Sequence, residues 1–260
     1  MTAIGVSLHQ FRFDLRALLR NRQAQFFTLA LPVMFLVIFA SIFGGRGRTV
    51  AVAGGRIDTS IAYVPGIMTL GIVAAAFINL VISVTAQRES GALKRRRATP
   101  VPASAIIAGR ALTAIVVALA STLLLLVIGR VAFSADVPAR TAPALGVSLV
   151  IGAVSFCCLG FAVASMIHDQ DAAQPVTQGV MLPLYFISGV FVPAAQIPGW
   201  LIRVADLFPV RHLAQALLTA YNPHTSGAGF AWHDLGIVAL WGVLGLAVAV
   251  RRFSWSPLAR

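Results

Sequence analysis

The run AIIAGRALTAIVVALASTLLLLVI, residues 105–128, decides the fold class. Its one charged residue is Arg110, near the start. A helix of about 20 apolar residues crosses the hydrocarbon of a bilayer, and this run is long enough. Outward from it, comparable runs lie at about 25–44, 61–86, 143–167, 174–192 and 232–250. The run at 174–192 opens near Pro175 and carries Pro183, a predicted kink. Six spans take ~120 residues and leave short loops. The chain has 260 residues, 58% of them hydrophobic and 11% charged, whereas a soluble surface needs about 25% charged residues. This balance excludes an ordinary cytosolic domain, a disordered chain and a soluble catalytic domain. The expected fold is an all-α integral membrane protein with six transmembrane helices.

Residues 1–24 precede the spans. Ile4, Leu8, Phe11, Leu15 and Leu18 follow helical spacing, while Arg12, Arg16 and Arg20 step along another face that Phe13 interrupts. The segment reads as an amphipathic helix in the membrane interface, set before a six-span domain at 25–260. Basic residues exceed acidic ones, 20 to 8, giving +12. Thirteen of the 20 fall on one side of the six-span plan: the N-terminal segment, the 88–97 loop with Arg110, and the C-terminus. Basic loops stay in the cytoplasm, so both termini are expected inside the bacterial plasma (inner) membrane. Nucleic acid is not an expected partner, because these Arg residues flank apolar spans rather than cover a soluble face.

Pro193, Pro198 and Pro209 break the stretch from Val192 to Tyr221. Two short helices are expected there, Gly199–Leu207 and Val210–Tyr221, too short to span and dipping into the outer leaflet. No Walker phosphate loop, zincin motif or nucleophile elbow occurs. Catalytic, cofactor and metal residues are therefore expected to be none. Cys157 and Cys158 read as buried thiols, and the five scattered histidines as loop or interface residues. All eight acids fall in loops or at span ends. An ion-coupled carrier usually keeps ionisable groups at mid-membrane, so energy is expected to enter from a partner.

The loop after the second run reads Gln87-Arg88-Glu89-Ser90-Gly91-Ala92-Leu93-Lys94-Arg95-Arg96-Arg97-Ala98-Thr99-Pro100. Arg88 and Glu89 are placed to pair at the membrane edge. Gly91 permits a sharp change of direction, and Pro100 ends a short basic helix. Such a helix suits docking to another protein. Its four consecutive basic residues, taken alone, favour an anchor on lipid headgroups.

The pattern Arg88-Glu89-x-Gly91-x-Leu93-x-Arg95-x-x-x-Thr99-Pro100 resembles the cytoplasmic loop of ABC-2 type permeases. The runs Ser188-Gly189-Val190-Phe191-x-Pro193, Ile197-Pro198-Gly199-Trp200 and Phe208-Pro209 resemble the family's segment before its last span. The likeness is greatest to daunorubicin-resistance and nodulation-factor export permeases. The resemblance implies a permease subunit of an ATP-driven ABC exporter, with ATP and Mg2+ bound by a separate ATP-binding subunit and no cofactor bound by this chain. It implies that residues 1–24 are a connecting helix and that Arg88, Glu89, Gly91, Leu93, Lys94, Arg95, Thr99 and Pro100 belong to a coupling helix. It further implies that Gly189, Pro193, Pro198, Trp200 and Pro209 belong to re-entrant helices at the exit, and that a second permease chain completes the unit. Arg96 stands where the family usually has an apolar residue.

Two faces are candidates for the substrate path or the permease interface. Gly71, Ala75, Asn79 and Ser83 recur every four residues, as expected of a packing face. Gln174, Gln178, Met181, Tyr185 and Ser188 form a second face, and amides facing lipid are expensive, so that face is expected to border a cavity. The apolar spans imply a lipophilic or amphipathic cargo. A self-contained channel or ion-coupled carrier, or a non-transporting membrane scaffold, are the alternatives.

Overall fold

The computed structural model describes residues 11–17, 20–44, 47–93 and 103–252. Helix α1 covers residues 11–17, with Leu15 against the core and Arg12, Phe13 and Arg16 exposed. The residues Ile4, Leu8, Leu18, Lys94, Arg95, Arg96, Arg97, Thr99 and Pro100, named above, lie outside the described residues.

After α1 come α2 (Arg22–Gln25), a π-helical turn (Phe26–Ala30) and α3 (Leu31–Ile42). A β-hairpin follows, β1 (Thr49–Val52) against β2 (Gly55–Asp58), with Val52 opposite Gly55. The hairpin closes over Ala53-Gly54, where Gly54 has φ +83°, a conformation that costs glycine little. This hairpin was not expected from the apolar pattern. The central helix runs as α4 (Thr59–Ile72), a π segment (Val73–Ile78) and α5 (Asn79–Glu89). Then come α6 (Ala103–Phe133), α7 (Ala142–Met166), α8 (Gln170–Ile187), α9 (Gly199–Ala205), α10 (Pro209–Tyr221) and α11 (Trp232–Arg252). The short pair α9 and α10 falls within two residues of the expected bounds.

Four helices among the described residues are long and apolar enough to cross a membrane: Thr59–Glu89, Ile107–Phe133, Ala142–Met166 and Trp232–Arg252. The first run forms a shorter apolar helix, Thr28–Ile42. In the fifth, α8 starts at Gln170 rather than 174 and ends at Ile187 rather than 192, with Pro175 and Pro183 inside it. Two local features set those ends. Asp169 caps the start, its carboxylate accepting from Asp171 N at 2.9 Å. Gly189 at φ +85° turns the chain at the other end.

The central helix is almost wholly buried, and its neighbours present apolar side chains outward. Leu123 and Val131 of α6, Val180 and Phe186 of α8, and Val243 and Val250 of α11 are all exposed. A soluble chain rarely exposes so continuous an apolar belt. In lipid the belt carries no penalty, and every backbone polar group must be met internally, which long helices achieve. Helix α11 lies directly on α7: a Cβ at Gly245 would stand 2.9 Å from the Leu159 backbone N, and one at Gly242 2.6 Å from Ser155 Oγ. Small residues let helix backbones approach this closely where no hydrophobic force drives association.

Candidate functional site

Arg88 and Glu89 end α5, and the structure employs them separately rather than chiefly as the expected pair. Arg88 is fully buried. Its Nη1 donates to Ala164 O at 2.8 Å, and its Nη2 donates to Ile167 O. Those carbonyls belong to the last turn of α7, where the helix dipole is negative and its carbonyls lack partners within the helix. Glu89 turns the other way. Its Oε2 accepts from Gln170 N at 2.8 Å, the first amide of α8, where the dipole is positive. One dipeptide thus caps two helix ends that meet at the turn Ile167-His168-Asp169.

The chain then leaves α5 sharply. Ser90 N donates to Ala86 O at 3.0 Å and Gly91 N to Arg88 O at 3.1 Å. Gly91 has φ +69°, the left-handed region that the sequence led us to expect of this glycine. Leu93 is buried in the core. The loop at 88–93 is therefore fastened to the α7–α8 corner by two charged side chains, while Leu93 packs into the apolar core.

Beside this corner lies a cavity of about 340 Å³, within the size range of small-molecule sites. Ala75, Asn79, Ser83 and Gln87 line one wall, Arg110, Thr113 and Val117 a second, and Asp14 of α1 a third. Arg110 Nη1 lies 3.7 Å from Asp14 Oδ2, joining two of these walls. The four-residue face of the second run therefore divides. Gly71 packs, its virtual Cβ 3.2 Å from Leu125 Cδ1, whereas Ala75, Asn79 and Ser83 border open space. Asn79 Nδ2 also donates to Thr28 Oγ1, tying the first apolar helix to the central one.

The face on α8 behaves otherwise. Met181, Tyr185 and Ser188 are buried inside the chain, Gln178 is half-buried and Gln174 exposed. Ser188 borders a small cavity of about 70 Å³ that Gly189, Pro193 and Tyr63 also line. Tyr185 packs edge-on to Phe191 at 5.7 Å between ring centroids. Phe191 also meets Phe35 and Phe39, each at 5.3 Å. The Gly189 turn delivers Phe191 into this aromatic cluster, which explains the local pattern Ser188-Gly189-Val190-Phe191. Pro198 and Pro209 begin the two short helices, each at a helix start, where a missing N–H costs nothing. Trp200 is exposed.

At this end of the bundle α10 is tied to its surroundings. Asn222 Nδ2 donates to Ala53 O of the hairpin at 2.7 Å, and Thr141 Oγ1 donates to Ala220 O at 2.6 Å. The Tyr221 hydroxyl donates to Ala135 O at 3.4 Å. Burial, with Asp136 nearby, pushes its phenol up to about 12, so it remains a donor.

Residues 10–221 match the family described as ABC-2 type transporter. The chain belongs to the ABC-2 type transporter family. The permease is 28% identical over 212 residues to the daunorubicin resistance ABC transporter permease protein DrrB1 of Streptomyces coeruleorubidus, covering 80% of this chain and 70% of that relative. It is 26% identical over 173 residues to the probable multidrug ABC transporter permease YbhR of Escherichia coli (strain K12), covering 66% of this chain and 46% of that relative. The permease therefore spans about half the length of YbhR. It is a multi-pass membrane permease subunit of an ABC exporter. Permeases of this family are the membrane subunits rather than the catalytic ones, and they normally work with an ABC ATP-binding subunit.

Sequence reasoning missed the double capping by Arg88 and Glu89, because it needs the position of the α7–α8 turn. It also missed the hairpin, although Thr49-Val-Ala-Val followed by Ala53-Gly54-Gly55 carries a short-strand and tight-turn signal.

Proposed function

We propose that this permease forms the membrane path of an ATP-driven exporter for a lipophilic or amphipathic molecule. Energy enters through the 88–100 loop from a separate ATP-binding subunit that holds ATP and Mg2+. The chain itself hydrolyses nothing. Six segments cross the bacterial inner membrane, the shorter apolar helix at 25–44 and the proline-containing α8 joining the four long ones. Both termini and the 88–100 loop face the cytoplasm, and a second permease chain, identical or different, completes the unit. Gly91, Leu93, Lys94, Arg95, Thr99 and Pro100 present the coupling helix, while Arg88 and Glu89 fix its root. Asn79 and Ser83 border the path from the cytoplasmic side. Gly189, Pro193, Pro198, Trp200 and Pro209 shape the exit.

The observation that carries this reading is the fastening of the 88–93 loop to the α7–α8 corner. A loop that only anchors to lipid headgroups needs charge and no fixed root. The test is transport per ATP hydrolysed in a complex reconstituted with the ATP-binding subunit. Gly91→Val opposes the left-handed backbone, a cost of about 1–2 kcal/mol, and Glu89→Ala removes the acceptor for the first amide of α8. Neither lowers the positive charge. Each is expected to cut transport severalfold in protein that elutes as a single species. Near-normal transport in both, with loss only when Arg95, Arg96 and Arg97 are neutralised together, would favour the lipid anchor. Transport without any ATP-binding subunit would instead point to a self-contained carrier.

A further inference from the structure

At the end of the bundle opposite Arg88, three side chains that the sequence scatters converge. His212 sits in the first turn of α10, and His233 and Asp234 in the first turn of α11. Their ligand-type atoms, the ring nitrogens and a carboxylate oxygen, lie within 4.8 Å of one another. The two imidazole rings meet edge to face with centroids 6.0 Å apart.

His212 is buried, and its two nitrogens each face an acceptor. Nε2 lies 2.8 Å from Asp206 O, a backbone carbonyl that can only accept. Nε2 must therefore carry the hydrogen. A neutral imidazole has one N–H, so Nδ1 then presents a lone pair. That lone pair lies 2.7 Å from the Asp234 carboxylate oxygen, which also presents lone pairs. For the neutral ring this contact is repulsive; a proton on Nδ1 relieves it, and so does a metal ion that both atoms bind once they move apart. The arrangement around Nε2 is the one metal-binding histidines use: the far N–H donates to a carbonyl, which fixes the tautomer and aims the other nitrogen. Arg211, next to His212 in the chain, is engaged by Asp206 Oδ1.

We propose that His212, His233 and Asp234 bind one divalent transition-metal cation of the zinc class. Two imidazoles, one carboxylate and a water make a four-coordinate set suited to zinc. Zn–N and Zn–O bonds of about 2.0–2.2 Å in a tetrahedral set put ligand atoms about 3.3–3.6 Å apart. The 2.7 Å contact between His212 and Asp234 therefore has to open, and the separations of up to 4.8 Å have to close, with the exposed His233 side chain supplying the larger movement. The bound ion ties the start of α10 to the start of the last long helix. It holds the segment between them in one position, so ion occupancy restrains movement of the short helices.

The alternative occupant of the gap is a proton alone, and His233 separates the two cases. A proton shared by His212 and Asp234 does not involve His233. The test uses the full-length permease in detergent, carrying no polyhistidine tag and stripped with chelator. Isothermal titration with Zn2+ is expected to give one site per chain, and Co2+ at the same site is expected to give a visible ligand-field band that Zn2+ abolishes. His233→Ala, an exposed position, is expected to weaken Zn2+ at least tenfold and remove the Co2+ band while the protein still elutes as one species. Asp234→Asn keeps the side-chain volume and is expected to weaken binding likewise. Zn2+ is expected to raise the melting temperature of the unaltered protein and leave that of His233→Ala unmoved. No saturable binding, or equal binding by His233→Ala, would overturn the proposal in favour of the proton.

Discussion

Replacing Arg88 by Met keeps an unbranched stem of similar length and removes the guanidinium. The buried carbonyls of Ala164 and Ile167 then lose their donor. Hydrogen bonds to charged groups contribute about 1.5–3 kcal/mol each in soluble proteins, which would put the loss near 3–6 kcal/mol. Hydrogen bonds between helices in membranes average about 0.6 kcal/mol and reach about 1.7 kcal/mol, giving roughly 1–3 kcal/mol for two. The membrane figure applies better, because Arg88 lies at the tip of a spanning helix and its alternative partners are other buried groups. About 2 kcal/mol is the resulting expectation. At 2–4 °C per kcal/mol for a chain of this size, melting should fall by roughly 4–8 °C. Arg88→Lys keeps the charge but offers a point donor instead of a fork, so it should recover part of the loss. Melting is followed by loss of the monodisperse elution peak on heating. Transport is then compared below the melting point of both variants, where Arg88→Met should move less substrate per ATP hydrolysed. Melting within about one degree of the unaltered protein, together with full transport, would refute the two-carbonyl role of Arg88.

Gly245→Ala places a methyl against the Leu159 backbone, whereas Gly236→Ala on the same helix meets open space; overpacking at the first should cost about 1–3 kcal/mol and the second should be neutral by melting. Asn222→Ala removes the donor to Ala53 O and the acceptor for His224 N at 3.0 Å, a loss of about 1–2 kcal/mol, and should speed proteolysis of the hairpin more than that of the Arg88 corner. In a variant lacking Cys157 and Cys158, Ala228→Cys should react with an impermeant thiol reagent on intact cells and Ala98→Cys should not; the reverse pattern would invert the proposed orientation.

Most of the helical architecture was legible because each long span is decided locally. Residues 105–128 contain one charge in 24 positions, and no soluble alternative absorbs such a run. The short helices α9 and α10 were legible because Pro198 and Pro209 mark their starts. The extent of α8 was less so. Its start depends on Asp169 as a cap and its end on the Gly189 turn, and the apolar pattern alone runs through both. The capping by Arg88 and Glu89 was not legible, since Ala164 and Gln170 lie 76 and 81 residues away from them. The same holds for His212 and Asp234, 22 residues apart and facing each other across two helices. Local pattern specifies elements; contacts between side chains far apart in sequence require the packed arrangement.

The order of Arg88 and Glu89 follows from that arrangement. Helix α7 ends and α8 begins within three residues, so a negative helix end and a positive one lie side by side. Adjacent side chains near the end of a helix diverge by about 100°, one position in 3.6 per turn, so the dipeptide reaches both ends at once, each charge facing the opposite pole. An isolated ion pair between Arg88 and Glu89 would tolerate exchange of the two residues, because the pair survives. Capping does not tolerate it: Arg88→Glu sets a carboxylate against the Ala164 and Ile167 carbonyls, and Glu89→Arg sets a cation against the Gln170 amide. The doubly exchanged protein should therefore be no more stable, and transport no better, than the worse of the two single variants. Recovery of melting temperature and transport in the double exchange would show that the residues act as a pair with each other, and that the helix ends do not set their order.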